Sequence, residues 1–514
     1  MRRIGIDVGG TNTDAVLLDD GRVVQTVKTP TTADVTGGIV AALDLLAHDA
    51  AMARRPIDAV VIGTTHFVNA VVQRRGLTKV AAIRIGLPTG ASLPPFCDWP
   101  PDLARLVEGQ VFMLEGGHEY DGREIVPFDE AGMREAASQI RADGLRTVAI
   151  SSVFSPLDAG HEERACAILR EEYPEAAVML SRDLGRIGLL ERENAALLNA
   201  ALADLARTTI GGFRAAIASS GIAAPLYLTQ NDGTVMSAAA AMALPVMSFA
   251  SGATNSMRGA AFLSGLTDAM VIDVGGTSTD VGELRRGFPR EANSVVEIGD
   301  VRTLFRMPDL LSIGLGGGSI VRQQPLRVGP ESVGYRLTEA ALVFGGNTLT
   351  ATDTAVACGV AAIGDGAKAA GVPRELAQAA LDEARTKIED AIDRMKTAAG
   401  EVRLIAVGGG AFLVPDRLAG VSEVIRVPHG DCANAVGAAI AQVSGETDQV
   451  YRDLPREAAI AAAAAQAKDR AVAAGADPAS LVTVEVEDMP LAYLPGNALR
   501  VRVRVAGDMR GPTS

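Results

Sequence analysis

The sequence predicts an α/β protein of two homologous lobes facing each other across a cleft, with a small C-terminal α+β appendage. Three observations carry this expectation. Short Val/Ile-rich runs alternate with longer helical patterns along most of the chain, the rhythm of α/β architecture. The segment IGIDVGGTNTDAVLL at residues 4–18 returns as VIDVGGTSTDVGEL at residues 271–284, and such self-similarity implies two related units. The 514 residues are 48% hydrophobic and 21% charged, enough for at least two well-buried cores.

Strands are expected at residues 59–62, 80–85, 147–152, 269–274 and 404–407. Helices are expected at 34–48, 161–172, 189–218 and 374–397, where apolar residues recur three and four apart. Each copy of the repeat reads as a strand, a D-V-G-G-T-x-T-D turn and a second strand; the first hairpin continues through Gly21 into residues 22–27. The lobe boundary is expected inside the helix at 189–218, giving domains at 1–200, 201–445 and 446–514, with a strand of the second lobe starting at 225–229. In the last domain an Ala-rich helix leads to strands at 481–486 and 499–505, separated by the turn Leu494-Pro495-Gly496-Asn497.

A formal net charge of −14 repels phosphate backbones, so no nucleic-acid partner is expected. Cys97, Cys166, Cys358 and Cys432 form no C-x-x-C pair, which argues against a zinc knuckle or a disulfide framework and for a reducing cytoplasm. The opening MRRIGIDVGG breaks at Asp7 before any signal-peptide core can form, and the Ala-rich stretch at 458–467 is short and charge-flanked; no membrane partner is expected. A homo-oligomer is the expected assembly.

In the repeated turn, glycines let successive backbone N–H groups converge on an anion. The candidates are Gly9, Gly10, Thr11, Asn12 and Thr13 in one copy and Gly275, Gly276, Thr277, Ser278 and Thr279 in the other. Asp7 and Asp273 stand at strand ends where a carboxylate can hold Mg²⁺ or its waters, and are the candidate catalytic and metal residues. Asp14 and Asp280 end the motif and read as ties within the turn. A lone D-x-G-G-T is also a plain hairpin turn; two copies, one in each half, favour a clamp that grips one triphosphate from both sides. The run Gly408-Gly409-Gly410 follows the expected strand at 404–407 and can admit adenine or ribose against bare backbone. A short helix is expected from Pro415 to Leu418, and residues 434–441 read as a helix of small residues suited to a hinge.

This ordered set resembles the signature of the actin-like (ribonuclease H-like) ATPases and sugar kinases, two phosphate loops, an adenosine loop and two connecting helices around an interlobe nucleotide cleft. Within that superfamily the chain is similar to the hydantoinase A/oxoprolinase family from about Arg3 to about Gln442. The similarity rests on Gly63-Thr64-Thr65 with Asn69, Ser251-Gly252 with Gly259-Ala260, and residues 273–281. It continues through Gly314-Leu315-Gly316-Gly317-Gly318-Ser319-Ile320, residues 328–332 and Thr352-Asp353. Ile62 stands where that family often has histidine, and Ala253-Thr254 replace its usual Pro-Ala, which leaves the substrate open.

The resemblance implies that ATP, with Mg²⁺, phosphorylates the carbonyl oxygen of a cyclic amide (a hydantoin, lactam or oxoproline-like ring) before ring opening. An amide is a poor electrophile, phosphate on its oxygen supplies a leaving group, and a carbonyl oxygen brings no proton for a base to remove. Candidate substrate residues are Thr64, Thr65, Asn69, Asn231, Asp232 and Ser319; His66 and His429 are as readily structural as functional. Sequence spacing offers no His/Cys cluster for a transition metal. The chain ends before the large C-terminal region of long hydantoinase A subunits, so what that region contributes is expected to be missing or supplied by another protein, such as a hydantoinase B-like or other hydrolytic partner.

Two alternatives share the fold. A small-molecule kinase would need a carboxylate base, for which Asp232 is the applicant and is counted among the catalytic candidates; a partner-driving ATPase would use lobe closure. A non-nucleotide binding module is the remaining reading. No G-x-G-x-x-G follows the first strand, which disfavours a Rossmann dehydrogenase, and no G-x-x-x-x-G-K-[ST] is present, which excludes a P-loop NTPase at motif level.

Overall fold

The computed structural model describes residues 1–9, 12–30, 35–47, 55–184, 187–292, 295–304, 306–492 and 496–510. Two sheets carry the repeat. In the first, five strands lie in the order Arg22–Pro30, Asn12–Asp19, Arg2–Val8, Ala59–Thr64, Leu226–Thr229. In the second, the order is Phe288–Pro289, Thr279–Arg285, Ala269–Val274, Val402–Val407, Val421–Arg426. Each begins with an antiparallel meander and continues with two strands parallel to the first, the 3-2-1-4-5 order of a ribonuclease H-like lobe. The expected two-lobed actin-like fold is the one observed.

Arg2–Val8 is buried along its whole length, as a central strand covered on both faces must be. Helices Val35–Ala47 and Ala203–Ser219 pack against each other beside the first sheet, and Ile39, Leu43, Ile210 and Phe213 are fully buried in its core. Between the two sheets cross the helices Ser251–Ser264 and Ala433–Ile440, the latter being the expected small-residue helix. Their approach leaves no room for a side chain: a Cβ at Gly259 would lie 1.8 Å from the Ala433 carbonyl oxygen, and one at Gly437 1.8 Å from that of Asn255. Small residues thus let the two helices meet backbone to backbone where the lobes join.

The helix expected over residues 189–218 is interrupted at Leu202, giving Leu189–Ala201 and Ala203–Ser219. Its first half is buried over ten consecutive positions because a third, four-stranded parallel sheet packs on its other side. The order there is Glu108–Glu115, Val80–Leu87, Thr147–Ser152, Ala177–Leu180, with its own hydrophobic core. The buried Glu193 of this helix accepts from Arg84 Nε at 2.7 Å and Ser151 Oγ at 2.5 Å, so the charge taken out of water on each side is paired.

The C-terminal segment is α+β, as expected, but its strands are continuous with the first lobe. Gln442–Tyr451 pairs parallel with Thr234–Ser237, and Leu499–Gly507 and Val482–Pro490 follow it, extending the first sheet to nine strands. Strands Leu226–Thr229 and Thr234–Ser237, which the expected boundary at 200/201 assigns to the second lobe, also belong to this sheet. Helix Arg456–Ala473 covers the extension through fully buried Ala459, Ala463, Ala467 and Ala471, one face at four-residue spacing. In the turn expected at 494–497, Leu494 and Pro495 lie outside the described residues. Among the described residues no helix is long and apolar enough to cross a membrane, and the four cysteines are free thiols.

Candidate functional site

In their described residues the two repeat turns share one register. Asp7 pairs across its hairpin with Asp14 and Val8 with Thr13, and the Gly9 N–H donates to the Asn12 carbonyl at 3.1 Å. Asp273 pairs with Asp280 and Val274 with Thr279, and the Gly275 N–H donates to the Ser278 carbonyl at 2.9 Å. Both turns border one cavity of about 400 Å³ between the lobes, lined by Gly9 and Asn12 from the first and by Gly275, Gly276, Thr277 and Ser278 from the second. Gly10 and Thr11 lie outside the described residues.

Carboxylates crowd this cleft. Asp7 is buried beneath it; Asn434 Nδ2 donates to its Oδ2 at 2.9 Å, while its buried Oδ1 has no hydrogen-bond partner. Burial, then the charges of Asp14 and Asp273, push the Asp7 carboxyl up to about 7 against the neighbouring Asn434 and Asn255 amides. Burial likewise pushes Asp273 up to about 6 even though Ser256 Oγ donates to it. Asp14 and Asp280 are raised by burial too, the first opposed by Lys28 and the second by the Ser312 hydroxyl. An orphaned carboxylate oxygen among mutually repelling acids is chemistry that a divalent cation would relieve, so Asp7 and Asp273 fit Mg²⁺.

The third glycine run closes the cleft behind Asp273. Gly408 has φ +91°, and a Cβ there would lie 2.2 Å from Asp273 Oδ1, so glycine is required both for the turn and for the approach. Gly409 lines the cleft with open space around it. Gly410 does not line it; its N–H donates to the Val274 carbonyl at 2.7 Å. The helix expected at Pro415–Leu418 is absent: a single 3-10 turn, Ala411–Leu413, precedes it, and the Asp416 carboxylate instead receives Arg426 Nη1 at 2.6 Å. The run Gly314–Gly318 backs the second turn, Gly317 and Gly318 donating to the carbonyls of Gly275 and Gly276 at 3.0 and 2.7 Å.

Several candidates face elsewhere. Thr13 is fully buried, and Thr279 Oγ1 donates to the Leu315 carbonyl at 2.7 Å; alternation along the strand turns both inward while Asp14 and Asp280 face the other way. Thr65 and Asn69 line the cleft, joined by a 3.2 Å hydrogen bond. Thr64 is buried behind them, its Oγ1 accepting from the His66 N–H at 3.1 Å; burial holds His66 below the usual imidazole range. Asn231 spends its side chain on the loop before helix Ser251–Ser264, donating to Val246 and accepting from Ala250. Ser319 Oγ accepts from the Gly316 N–H at 2.8 Å, inside the glycine run. His429 sits in the left-handed region with φ 62° at the start of the turn Gly430–Cys432.

Asp232 does not line the cleft. Its carboxylate accepts from Thr234 Oγ1 at 2.6 Å and from Arg504 Nη1 at 3.1 Å, with Arg306 at 3.5 Å, and these cations outweigh burial and hold it below the usual carboxylate range. Through Arg504 it joins an ion network with Glu291, Glu446, Glu485 and Arg502, apart from the cleft lining where the expected catalytic carboxylate would stand.

Sequence reasoning missed Lys28, Ser256 and Asp431, which line the cleft, and took Asn434 only for part of a hinge. It also foresaw no histidine cluster, yet His118, Glu124 and His161 bring ligand atoms within 4.8 Å of one another. The Gly117 N–H donates to His161 Nδ1 at 2.9 Å and Nε2 faces Glu124 at 3.1 Å. With Nδ1 accepting, the imidazole proton sits on Nε2, and His161 has no lone pair free for a metal.

The profile of the hydantoinase/oxoprolinase N-terminal region matches residues 3–173, and that of hydantoinase/oxoprolinase matches residues 192–364. Caprolactamase subunit alpha of Pseudomonas jessenii is 28% identical over 434 residues, covering 78% of this chain and 61% of the relative. The acetophenone carboxylase gamma subunit of Aromatoleum aromaticum is 28% identical over 396 residues, covering 70% and 53%. The chain thus spans between half and two thirds of the length of these relatives. Among solved structures, the ATP-dependent caprolactamase of Pseudomonas jessenii aligns with TM-score 0.76 at 21% identity, over 99% of this chain and 88% of that one. Nucleotide-free acetone carboxylase aligns with TM-score 0.71 at 19% identity, over 100% and 89%.

Proposed function

Because the chain belongs to the hydantoinase/oxoprolinase family, we propose that it is an ATP-dependent enzyme or enzyme subunit that phosphorylates the carbonyl oxygen of a cyclic amide. The observation that supports this most is the pair of matching glycine turns on opposite lobes, with Asp7 and Asp273 at one cavity. Backbone N–H groups of the turns would hold the polyphosphate, Asp7 and Asp273 would hold Mg²⁺, and Gly408 and Gly409 would receive the nucleoside. Mg²⁺, when bound, supplies neutralisation of the charge that develops as the phosphoryl group moves. Thr65 and Asn69 border the same cavity and would orient the amide so that its oxygen lies in line with the leaving oxygen. The carbonyl oxygen bonds to the γ-phosphorus as the bond to ADP breaks; water then adds to the activated carbon. The C–N bond breaks with the proton of that water going to the ring nitrogen, and the ring opens to an acyl phosphate, which a second water hydrolyses to carboxylate and phosphate. No base is needed for the first step, in keeping with Asp232 lying outside the cleft.

Relatives named caprolactamase and acetophenone carboxylase share a carbonyl substrate, which makes carbonyl activation the broader reading and a ketone the second choice. Both are named as subunits, so a partner subunit is proposed for the hydrolytic step. The test is a screen of hydantoins, lactams, oxoproline and simple ketones for ADP release, with and without candidate partner subunits. Ring-opened amide with stoichiometric ADP supports the proposal. A stable phosphate ester, or ADP release without any small substrate, would replace it with a kinase or a partner-driving ATPase.

A further inference from the structure

Among the described residues lining the cleft, four side chains carry formal charge: Asp14, Asp273 and Asp431 are acidic, and Lys28 alone is basic. Asp7 lies just below them. A triphosphate entering this acidic space meets repulsion that one divalent cation does not cancel, so a side-chain cation there carries unusual weight. Lys28 stands on Arg22–Pro30 opposite Asp14 in the strand register. Its Nζ is 2.6 Å from Asp14 Oδ1 and 3.1 Å from the Asp431 carbonyl, and a third of its side chain is exposed.

The second lobe supplies an internal comparison. Asp280, the counterpart of Asp14, faces Ser312 in its own sheet and receives that hydroxyl. The same place in the repeat is therefore filled by a cation in one lobe and by a neutral donor in the other. Closing the hairpin at Asp280 needs a hydrogen bond and no positive charge, so the charge on Lys28 answers a need beyond the turn.

We infer that Lys28 is the side chain that recognises the terminal phosphoryl group of ATP, held over the cleft by Asp14 until nucleotide enters. This rests on the nucleotide-cleft reading above. An ammonium on a flexible stem can leave one anion for a stronger one without backbone movement, and a charge-assisted bond to γ-phosphoryl oxygens exists with ATP and not with ADP.

The experiment is calorimetric titration of the full chain with MgATP analogue and with MgADP, for wild type, Lys28→Met, Lys28→Arg and Asp14→Asn, with thermal unfolding to establish that each variant folds. Lys28→Met is expected to weaken the triphosphate about 10- to 100-fold and the diphosphate less than about twofold, erasing the preference between them. Lys28→Arg should keep most of the preference, and Asp14→Asn, which breaks the same ion pair from the other side, should keep it as well. Equal loss for both nucleotides in Lys28→Met and Asp14→Asn would make Lys28 a structural staple and overturn the inference. So would an unchanged preference, or a Lys28→Met that does not fold together with a Lys28→Arg that loses the preference. Wild type that binds neither nucleotide would instead defeat the cleft reading itself.

Discussion

Replacing Asp7 with asparagine should make the ligand-free protein more stable while destroying its response to Mg²⁺ and nucleotide. The carboxyl of Asp7 is pushed from 3.8 to about 7 by burial and by its acidic neighbours. Each pKa unit is about 1.36 kcal/mol, so holding this group ionised at pH 8 costs on the order of 4 kcal/mol of folding free energy. The sign follows from linkage: the folded pKa lies above the unfolded one, so the native state is favoured at low pH and that advantage is lost as pH rises through about 7. Asparagine carries no charge, is nearly the same shape and can still accept from Asn434. Thermal unfolding of ligand-free wild type and Asp7→Asn from pH 5.5 to 8.5 is the assay. Wild type should lose stability from pH 5.5 up to about 7 and level off above it; the variant should show a flatter profile and unfold several degrees higher at pH 8. The thermal gain that MgATP confers on wild type should be absent. A variant less stable than wild type at pH 8, or one that keeps its MgATP gain, would refute the view of Asp7 as a strained carboxylate awaiting a cation.

Gly437→Val should drive the two hinge helices apart, since its first added carbon would lie 1.8 Å from the Asn255 carbonyl oxygen; a loss of at least about 2 kcal/mol in urea unfolding is expected, and unchanged stability would contradict the close crossing. Asp232→Asn should loosen the Arg504 and Arg306 network and lower the unfolding temperature while leaving nucleotide affinity within about twofold. A tenfold loss of MgATP affinity without a stability change would return Asp232 to the catalytic site.

The paired glycine turns were legible because the repeat writes the same eight-residue motif twice, and the strands flanking each copy pair in the same register. Thr13 and Thr279 turn away from the cleft by the period-two rule, whereas Thr277 lines it: within D-V-G-G-T-x-T-D, the last Thr and the last Asp are adjacent on a strand and cannot both face the cleft. Lys28 was hidden by a bulge. Asp19 pairs with Arg22, and counting back without interruption sets Val27 opposite Asp14; the register shift between Leu17 and Leu18 brings Lys28 there instead. The C-terminal strands looked like an appendage because their partner, Thr234–Ser237, is some 200 residues earlier, and no local pattern records such a pairing. The inserted sheet was missed for a related reason: two of its strands, Glu108–Glu115 and Ala177–Leu180, are partly exposed along most of their length and lack the apolar run that marks a buried strand.

The proposed activity requires both glycine turns to grip one polyphosphate. A crystal structure of the protein grown with Mg²⁺ and a non-hydrolysable ATP analogue tests it directly. Phosphate density between Gly9 and residues 275–278, with the metal ion at Asp7 and Asp273, is the predicted result; a nucleotide bound elsewhere, or touching one turn alone, would contradict it.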